Sequence, residues 1–193
     1  MIGVLALQGD YAKHIQILNM LQIPAKEIRY PSELVEIKGL VIPGGESSTM
    51  TDLMKRIGFH EPLRNFAKKY PILGTCAGLI MMSSTAPDSK VEPLNVLDVE
   101  VDRNGYGRQI HSFTKELPVQ LNGTVPEVPA TFIRAPKITK VNNGVEIISE
   151  YKGNPVAVKQ GHHLGLSFHP ELDGITIFHN YIFKKQFQKT YAA

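Results

Sequence analysis

Short runs of apolar residues alternate with stretches of helical spacing through the first half of the chain. Residues 2–7 and 39–42 are continuous apolar runs, the pattern of strands that are buried on both faces of a sheet. Residues 10–22 instead place apolar side chains three and four positions apart, as an amphipathic helix does. Strands that alternate with helices predict an α/β fold with a mainly parallel sheet. The predicted strands here are 2–7, 25–30, 39–42 and 71–74, and the predicted helices are 10–22, one from about 47 or 48, 61–69 and 77–84.

The second half of the chain has a different pattern, in which strands and turns follow one another closely. We expect some of these strands to form an antiparallel extension beside the parallel core. A final helix is predicted at about 175–189. No repeat or linker divides the sequence, so we expect a single domain over residues 1–193. The strands predicted in this half are 95–101, 109–114, 130–134, 145–151, 155–160 and 164–168.

Composition is that of an ordinary globular domain, with 42% hydrophobic and 20% charged residues and a formal net charge of +3. The basic residues are scattered, whereas a nucleic-acid surface usually needs a denser stripe, so we expect no nucleic-acid partner. No stretch approaches the roughly 20 apolar residues of a membrane span. The apolar start of the chain lacks the basic residues of a signal peptide and fits a first strand. A single cysteine excludes an internal disulfide, and a cytoplasmic protein is the default expectation.

The single cysteine, Cys76, lies in the sequence G-T-C-A-G, between a predicted strand and a predicted helix. This is the glycine-flanked arrangement of a nucleophile elbow, a sharp turn that lifts the nucleophile clear of the sheet. Side chains two positions before or after the cysteine would collide with the turn, which explains why Gly74 and Gly78 are glycines. The following helix N-terminus favours a thiolate, and the N–H of Ala77 can face an oxyanion. A free cysteine is usually a small buried hydrophobe, but these glycines favour a nucleophile.

A second motif, S-F-H-P-E-L, follows the last predicted strand. Pro170 pushes His169 towards extended geometry, in which residues two apart point to the same side. His169 and Glu171 therefore fit an imidazole base and the carboxylate that orients it. Alone, the motif would more often be a surface turn. Because parallel strands bring their carboxyl ends to one edge of a sheet, His169 and Cys76 are expected to lie near each other.

A third motif, P-G-G-E-S, follows the strand predicted at 39–42 and opens a helix. The pair Gly44-Gly45 lets the backbone approach a ligand closely and could supply a second oxyanion donor beside Ala77. The motif lacks the lysine of a phosphate-binding loop. The alternative is a tight strand-to-helix turn with Ser47 or Ser48 as the helix cap.

Several other histidines have ordinary interpretations. His14, His60 and His179 lie in helical patterns and are expected at the surface or in packing. The pair His162-His163 has no cysteine or carboxylate at zinc-binding spacing, so we expect no metal site. His111 is expected to face outwards from a strand.

In order and approximate spacing, the three motifs resemble those of class I glutamine amidotransferases, which act as triad glutaminases. The resemblance implies a three-layer, flavodoxin-like α/β fold. The runs G-V-L-A-L-Q-G-D, P-G-G-E-S-S-T-M, R-N-G-Y-G-R-Q and F-I-R-A-P resemble one branch, the glutaminase subunits of pyridoxal 5′-phosphate synthases. This similarity extends from residue 2 to about residue 185.

By resemblance, Cys76 would be the nucleophile, His169 the base and Glu171 the residue that orients it. The reaction would be hydrolysis of L-glutamine to L-glutamate and ammonia, without a cofactor. Gly45 and Ala77 would hold the oxyanion, and Gln8 with the following loop would lie near that site and the partner interface. The residues implied to contact glutamine are Gly45, Glu46, Ser47, Arg103, Ile133 and Arg134.

The resemblance also implies a partner, a (β/α)-barrel subunit of pyridoxal 5′-phosphate synthase in a large hetero-oligomer. That subunit would receive the ammonia, and the glutaminase would be poorly active without it. Residues 84–93 are weakly patterned and suggest no role. The alternatives are a glutaminase for another synthase, such as the imidazole-forming enzyme of histidine biosynthesis, and a non-catalytic module of the same fold. The runs R-N-G-Y-G-R-Q and F-I-R-A-P argue against the first alternative, and the intact Cys, His and Glu argue against the second.

Overall fold

The computed structural model describes residues 1–86, 88–103 and 112–188. Within these residues the central sheet has seven strands, of which the first five pair in parallel and the last two are added by antiparallel pairing. Both the predicted parallel core and the predicted antiparallel extension are therefore confirmed. In spatial order the strands are β2 (Ala25–Ile28), β1 (Ile2–Leu5), β3 (Leu40–Ile42), β4 (Ile72–Thr75), β11 (His163–Leu166), β10 (Asn154–Gln160) and β9 (Glu146–Tyr151).

Helices cover both faces of this sheet and give three layers. Strand β3 shows why both faces need cover, because its side chains are apolar on both. Leu40 and Ile42 belong to one hydrophobic cluster, and Val41 belongs to the cluster on the other face. None of the helices in the described ranges is long and apolar enough to cross a membrane. The cluster with Leu40 packs a 3₁₀ helix (Pro31–Glu36) and helices α2 (Ser47–Arg56), α3 (His60–Ala67) and α4 (Ala77–Met82); the other packs α1 (Tyr11–Met20) and α5 (Ile177–Gln188).

Two small antiparallel sheets extend these layers. Strands β5 (Val99–Asp102) and β8 (Lys137–Val141) pair on the α4 side, and β6 (Phe113–Pro118) pairs with β7 (Glu127–Phe132) on the α5 side. The first of these sheets contributes Val99 and Ile138 to the core, and the second contributes Phe132.

Several predicted boundaries are wrong for identifiable reasons. Strand β8 is not predicted at all, because only two of the five residues of K-I-T-K-V are apolar, they do not alternate, and the strand lies at an edge. The second small sheet is displaced from the strands predicted at 109–114 and 130–134, and residues 109–111 lie outside the described residues. Helix α2 is capped by Glu46, whose side chain accepts a hydrogen bond from Thr49 N, and not by Ser47 or Ser48.

Parallel strands β1, β3, β4 and β11 end at the same edge of the sheet. The segments that follow them carry Gln8, the Gly44-Gly45 pair, Cys76 and His169, respectively. The topology thus brings the sequence motifs to one edge, where active sites of α/β proteins are found.

Candidate active site

Cys76 occupies a sharp turn between β4 and α4. Its backbone has φ 50° and ψ −107°, a conformation that residues other than glycine seldom adopt. Its N–H donates a 2.8 Å hydrogen bond to the carbonyl of Leu166 at the end of β11. Such backbone strain costs on the order of 1–3 kcal/mol and is typical of functional positions.

The glycines that flank Cys76 are required by close packing, as the sequence motif predicts. A β-carbon at Gly78 would lie 2.0 Å from the carbonyl oxygen of Ile42 in the neighbouring strand. A β-carbon at Gly74 would lie 2.5 Å from Met82 Sδ. Neither position has room for a larger residue, so the turn can hold the cysteine at the sheet edge only with glycine on both sides.

His169 and Glu171 form a direct pair. His169 Nδ1 lies 2.7 Å from Glu171 Oε1, and the carboxylate is almost completely buried. The backbone N–H of His169 donates a 2.9 Å hydrogen bond to the carbonyl of Thr131 in β7. This contact fixes the segment after β11 and presents the imidazole to the same edge as Cys76.

The electrostatic environment favours a protonated His169. Burial alone would lower the pKa of this imidazole. Hydrogen bonds to Cys76 and Glu171, together with electrostatic attraction to these two groups, outweigh burial and raise the pKa of His169 to about 10. An imidazolium beside a thiolate is the resting arrangement of many cysteine nucleophiles.

The loop after β3 is held against the loop after β1. The side-chain amide of Gln8 donates to the carbonyl of Glu46 and accepts from the N–H of Glu46, each at 3.1 Å. Gly45 has φ 152°, and a β-carbon there would lie 2.5 Å from Gln8 Nε2. Glycine is therefore needed at position 45 to let the Gln8 amide clamp the loop.

A cavity of about 360 Å³ opens beside these groups. A cavity of about 430 Å³ lies elsewhere, between β6 and β9, but Glu150 is the one titratable residue in its lining. The smaller cavity is the better candidate because its lining includes His169 of the buried His169–Glu171 pair and Ile133, which contacts Cys76. It is lined by Gly45, Glu46, Arg103, Ile133, Arg134 and His169.

Five of the six residues implied to contact substrate therefore line one cavity, and the sixth does not. Ser47, at the start of α2, is buried, and its hydroxyl has no hydrogen-bond partner in the described part of the chain. Ile133 brings its carbonyl oxygen to 3.9 Å from Cys76 Sγ. Arg134, next in the chain, has φ 43°, a second strained position at the cavity.

Arg103 is held between two carboxylates. It pairs with Glu46 through one guanidinium nitrogen and with Asp88 Oδ2 through the other, the latter at 2.9 Å. Asp88 belongs to the stretch 84–93, to which the sequence assigned no role, and no pattern in S-T-A-P-D-S-K distinguishes it. Residues 104–109 of the R-N-G-Y-G-R-Q run, with Arg108, and also His111, lie outside the described residues.

Ala77 begins α4 immediately after Cys76, and the first N–H groups of a helix have no acceptor within it. In the described ranges, no three His, Cys, Asp or Glu side chains are grouped so that they could hold a metal ion.

Known proteins resemble this chain over most or all of its length. It is 46% identical to pyridoxal 5′-phosphate synthase subunit PdxT of Dehalococcoides mccartyi, with 100% of this chain and 99% of the relative covered. It is 47% identical to the subunit of the same name from Staphylococcus epidermidis, with 89% and 90% covered.

Solved structures share the fold. A crystal structure described as a glutamine amidotransferase matches with a TM-score of 0.88 and 38% identity over 95% of this chain and 97% of that one. PurLQS from Thermotoga maritima matches with a TM-score of 0.71 at 15% identity over 96% and 98%, and shows the fold alone. Residues 4–189 match the SNO glutamine amidotransferase family, and the chain belongs to that family.

Proposed function

We propose that this protein hydrolyses L-glutamine to L-glutamate and ammonia with a Cys76-His169-Glu171 triad, and that it serves a pyridoxal 5′-phosphate synthase. The observation that carries the proposal is the strained Cys76 turn beside a buried His169–Glu171 pair at one sheet edge. The relatives at 46% and 47% identity, which are subunits of that synthase, support the choice of pathway.

The reaction begins when the Cys76 thiolate attacks the side-chain amide carbon of glutamine. The carbonyl oxygen becomes an oxyanion, for which the N–H groups of Gly45 and Ala77 are the proposed donors. His169, held by Glu171, gives its proton to the departing ammonia and leaves a thioester on the cysteine. The now neutral His169 takes a proton from water, which attacks the thioester and releases glutamate, and the thiolate–imidazolium pair is restored.

The cavity fits the free end of a zwitterionic amino acid. Arg103 and Arg134 supply positive charge for an α-carboxylate, and Glu46 supplies negative charge for an α-ammonium group. Cys76 Sγ lies 3.9 Å from the carbonyl oxygen of Ile133, one of the residues that line this space, which supports attack of the sulfur on a side-chain amide bound there. We also propose that the hydroxyl of Ser47, which has no hydrogen-bond partner in the described residues, contacts glutamine from the start of α2.

The partner in this proposal is a (β/α)-barrel synthase subunit that receives ammonia inside a large hetero-oligomer. Gln8 clamps the Gly45–Glu46 loop from the adjacent β1 segment. A partner that touches the β1 loop could therefore adjust an oxyanion donor without entering the substrate cavity. This arrangement supports low glutaminase activity until the partner binds.

The test is glutamate release by the purified chain, alone and with the candidate synthase subunit. We expect strong stimulation by the pyridoxal 5′-phosphate synthase subunit and a loss of at least about 1,000-fold in Cys76→Ala. Stimulation only by the imidazole-forming synthase would show that the protein serves histidine biosynthesis instead. Undiminished turnover in Cys76→Ala would contradict the proposed nucleophile, and no turnover by wild type with any partner would favour a non-catalytic module.

A further inference from the structure

A group of buried polar side chains lies behind the His169–Glu171 pair. His14 of α1, His179 of α5, Thr75 of β4 and Glu171 itself are each 3% exposed or less. Burying polar groups is costly unless they bond to one another, and apolar residues would pack α1 and α5 against the sheet at lower cost. The contacts among these four side chains therefore need an explanation beyond packing.

His14 is at the centre of the group. Its Nε2 lies 3.2 Å from the hydroxyl of Thr75, the residue before Cys76, and 3.6 Å from Glu171 Oε2. Its Nδ1 lies 2.9 Å from His179 Nε2. His14 thus touches both the strand end that carries the cysteine and the carboxylate whose other oxygen contacts His169.

Both buried histidines are neutral. Burial, and then the positive charges that His179 and His169 would carry, set the pKa of His14 well below its ordinary value. Burial also lowers the pKa of His179 to about 3. Each imidazole therefore carries one N–H, and its position is decided by the neighbours.

The neighbours favour one arrangement of these protons. His179 Nδ1 has no hydrogen-bond partner in the described part of the chain, so a proton there would be a buried donor without an acceptor. With the proton on His179 Nε2 instead, that nitrogen donates to His14 Nδ1. His14 must then carry its own proton on Nε2, facing Thr75 and the Glu171 carboxylate.

We propose that His14 is a positioning residue for the reaction, whose Nε2–H holds the second oxygen of Glu171 so that the first stays on His169. Glu171 Oε2 makes no hydrogen bond of ordinary length within the described residues, which leaves the His14 N–H to orient this edge of the carboxylate. The same N–H contacts Thr75, so one side chain ties the proposed base and nucleophile segments together. This inference rests on the proposed function.

The test compares two amide substitutions of His14, assayed for glutamate release with the synthase subunit present. The longer Gln extends an N–H to the place of Nε2, whereas the amide of Asn stops near Nδ1. We expect His14→Gln to keep kcat within about threefold of wild type. We expect His14→Asn to lower kcat by about 10- to 100-fold with KM nearly unchanged, because the N–H that faces the buried Glu171 carboxylate and orients it is lost.

His163 supplies matched controls, because it is also buried but lies at the end of β11 that is far from the candidate site. There its Nδ1 accepts a hydrogen bond from the backbone N–H of Ile72 in β4. His163→Gln and His163→Asn should have equal kcat values. A readout that does not need turnover is the ¹H NMR signal of the proton shared by His169 Nδ1 and Glu171. It should persist in His14→Gln and shift or disappear in His14→Asn.

The possible outcomes separate the two proposals. Equal kcat values for His14→Gln and His14→Asn, with the NMR signal unchanged in both, would overturn the role of His14. A parallel fall of kcat and thermal stability in both variants would also overturn it, because only packing would then be involved. Wild type that releases no glutamate would instead refute the proposed function, while the NMR comparison would still test the position of Glu171.

Discussion

A β-carbon on Gly44 would lie 2.4 Å from Cε1 of His169, so the glycine and the imidazole are in direct contact. The same added atom would be 3.4 Å from the β-carbon of Cys76. Gly44 thus packs against both the proposed base and the proposed nucleophile. The sequence motif suggested that this glycine lets backbone approach a ligand, and the structure adds that it makes room for the base.

Gly44→Ala should therefore displace His169 and lower kcat for glutamine hydrolysis by about 10- to 100-fold, since shifts near 1 Å have effects of this size. Steady-state kinetics with the synthase subunit present would measure the change. Gly153→Ala is the control: Gly153 has φ 70°, and apart from its chain neighbours no atom of the described residues lies within 4 Å of an added β-carbon. The control should lose about 1 kcal/mol of stability and no activity. Equal kcat in both variants would contradict the contact.

Asp88→Asn should raise KM for glutamine by about threefold to tenfold and leave kcat nearly unchanged. The carboxylate holds Arg103 at the cavity, but both side chains are about a third exposed, so the pair contributes only about 1 kcal/mol. Asp52→Asn makes the same chemical change in an exposed pair with Arg56 on α2, and should leave both constants unchanged. A fall in kcat with unchanged KM in Asp88→Asn would instead indicate that Asp88 acts in the chemical step and not in substrate binding.

His169 should remain protonated up to about pH 10, and Cys76→Ala should lower that midpoint. The substitution removes a hydrogen bond and a negative charge that raise the pKa, and leaves the burial that lowers it. NMR titration of ¹⁵N-labelled histidine would follow the change. A midpoint that is the same in both proteins would exclude coupling to Cys76.

The raised pKa of His169 also predicts that this residue stabilises the folded state. Its contribution is complete below pH 6.5 and is lost as pH rises through about 10.

Acid should destabilise the fold partly through His163. Burial, and then the charge of His162, lower the pKa of His163 to about 4, whereas the unfolded chain titrates near 6.5. The unfolded state therefore binds more protons, and the contribution of His163 is lost as pH falls from 6.5 through 4, by up to about 3 kcal/mol. Urea unfolding between pH 4 and 7 should show a shallower pH dependence in His163→Gln. The same slope as wild type would rule out this contribution.

The strands that position the site were predictable because they are buried on both faces. Residues 39–42 and 71–74 are continuous apolar runs, and β3 and β4 are found within a residue of them. The glycines around Cys76 were also informative, since a turn of this kind leaves no room for a side chain. Strand β8 escaped prediction because an edge strand needs few apolar residues.

Contacts between distant polar residues could not be predicted in the same way. His14 and His179 lie in helical patterns and were expected at the surface or in packing, and they are buried in contact with each other. Nothing local in either helix indicates that their rings meet. Asp88 is a similar case, because its partner Arg103 is brought to it only by the fold.

The hydrogen bond from Cys76 N to Leu166 O also bears on when the protein acquires its chemistry. Strand β11 inserts between β4 and β10 and carries His169 and Glu171 just beyond its end. During synthesis, a chain that has reached β10 contains Cys76 but neither the imidazole of the proposed triad nor the backbone acceptor that anchors the cysteine's turn. Closing so long a loop is a late folding step. A chain that ends before β11 therefore lacks both the proposed base and the anchor of the Cys76 turn, so the proposed triad can be complete only after β11 has joined the sheet.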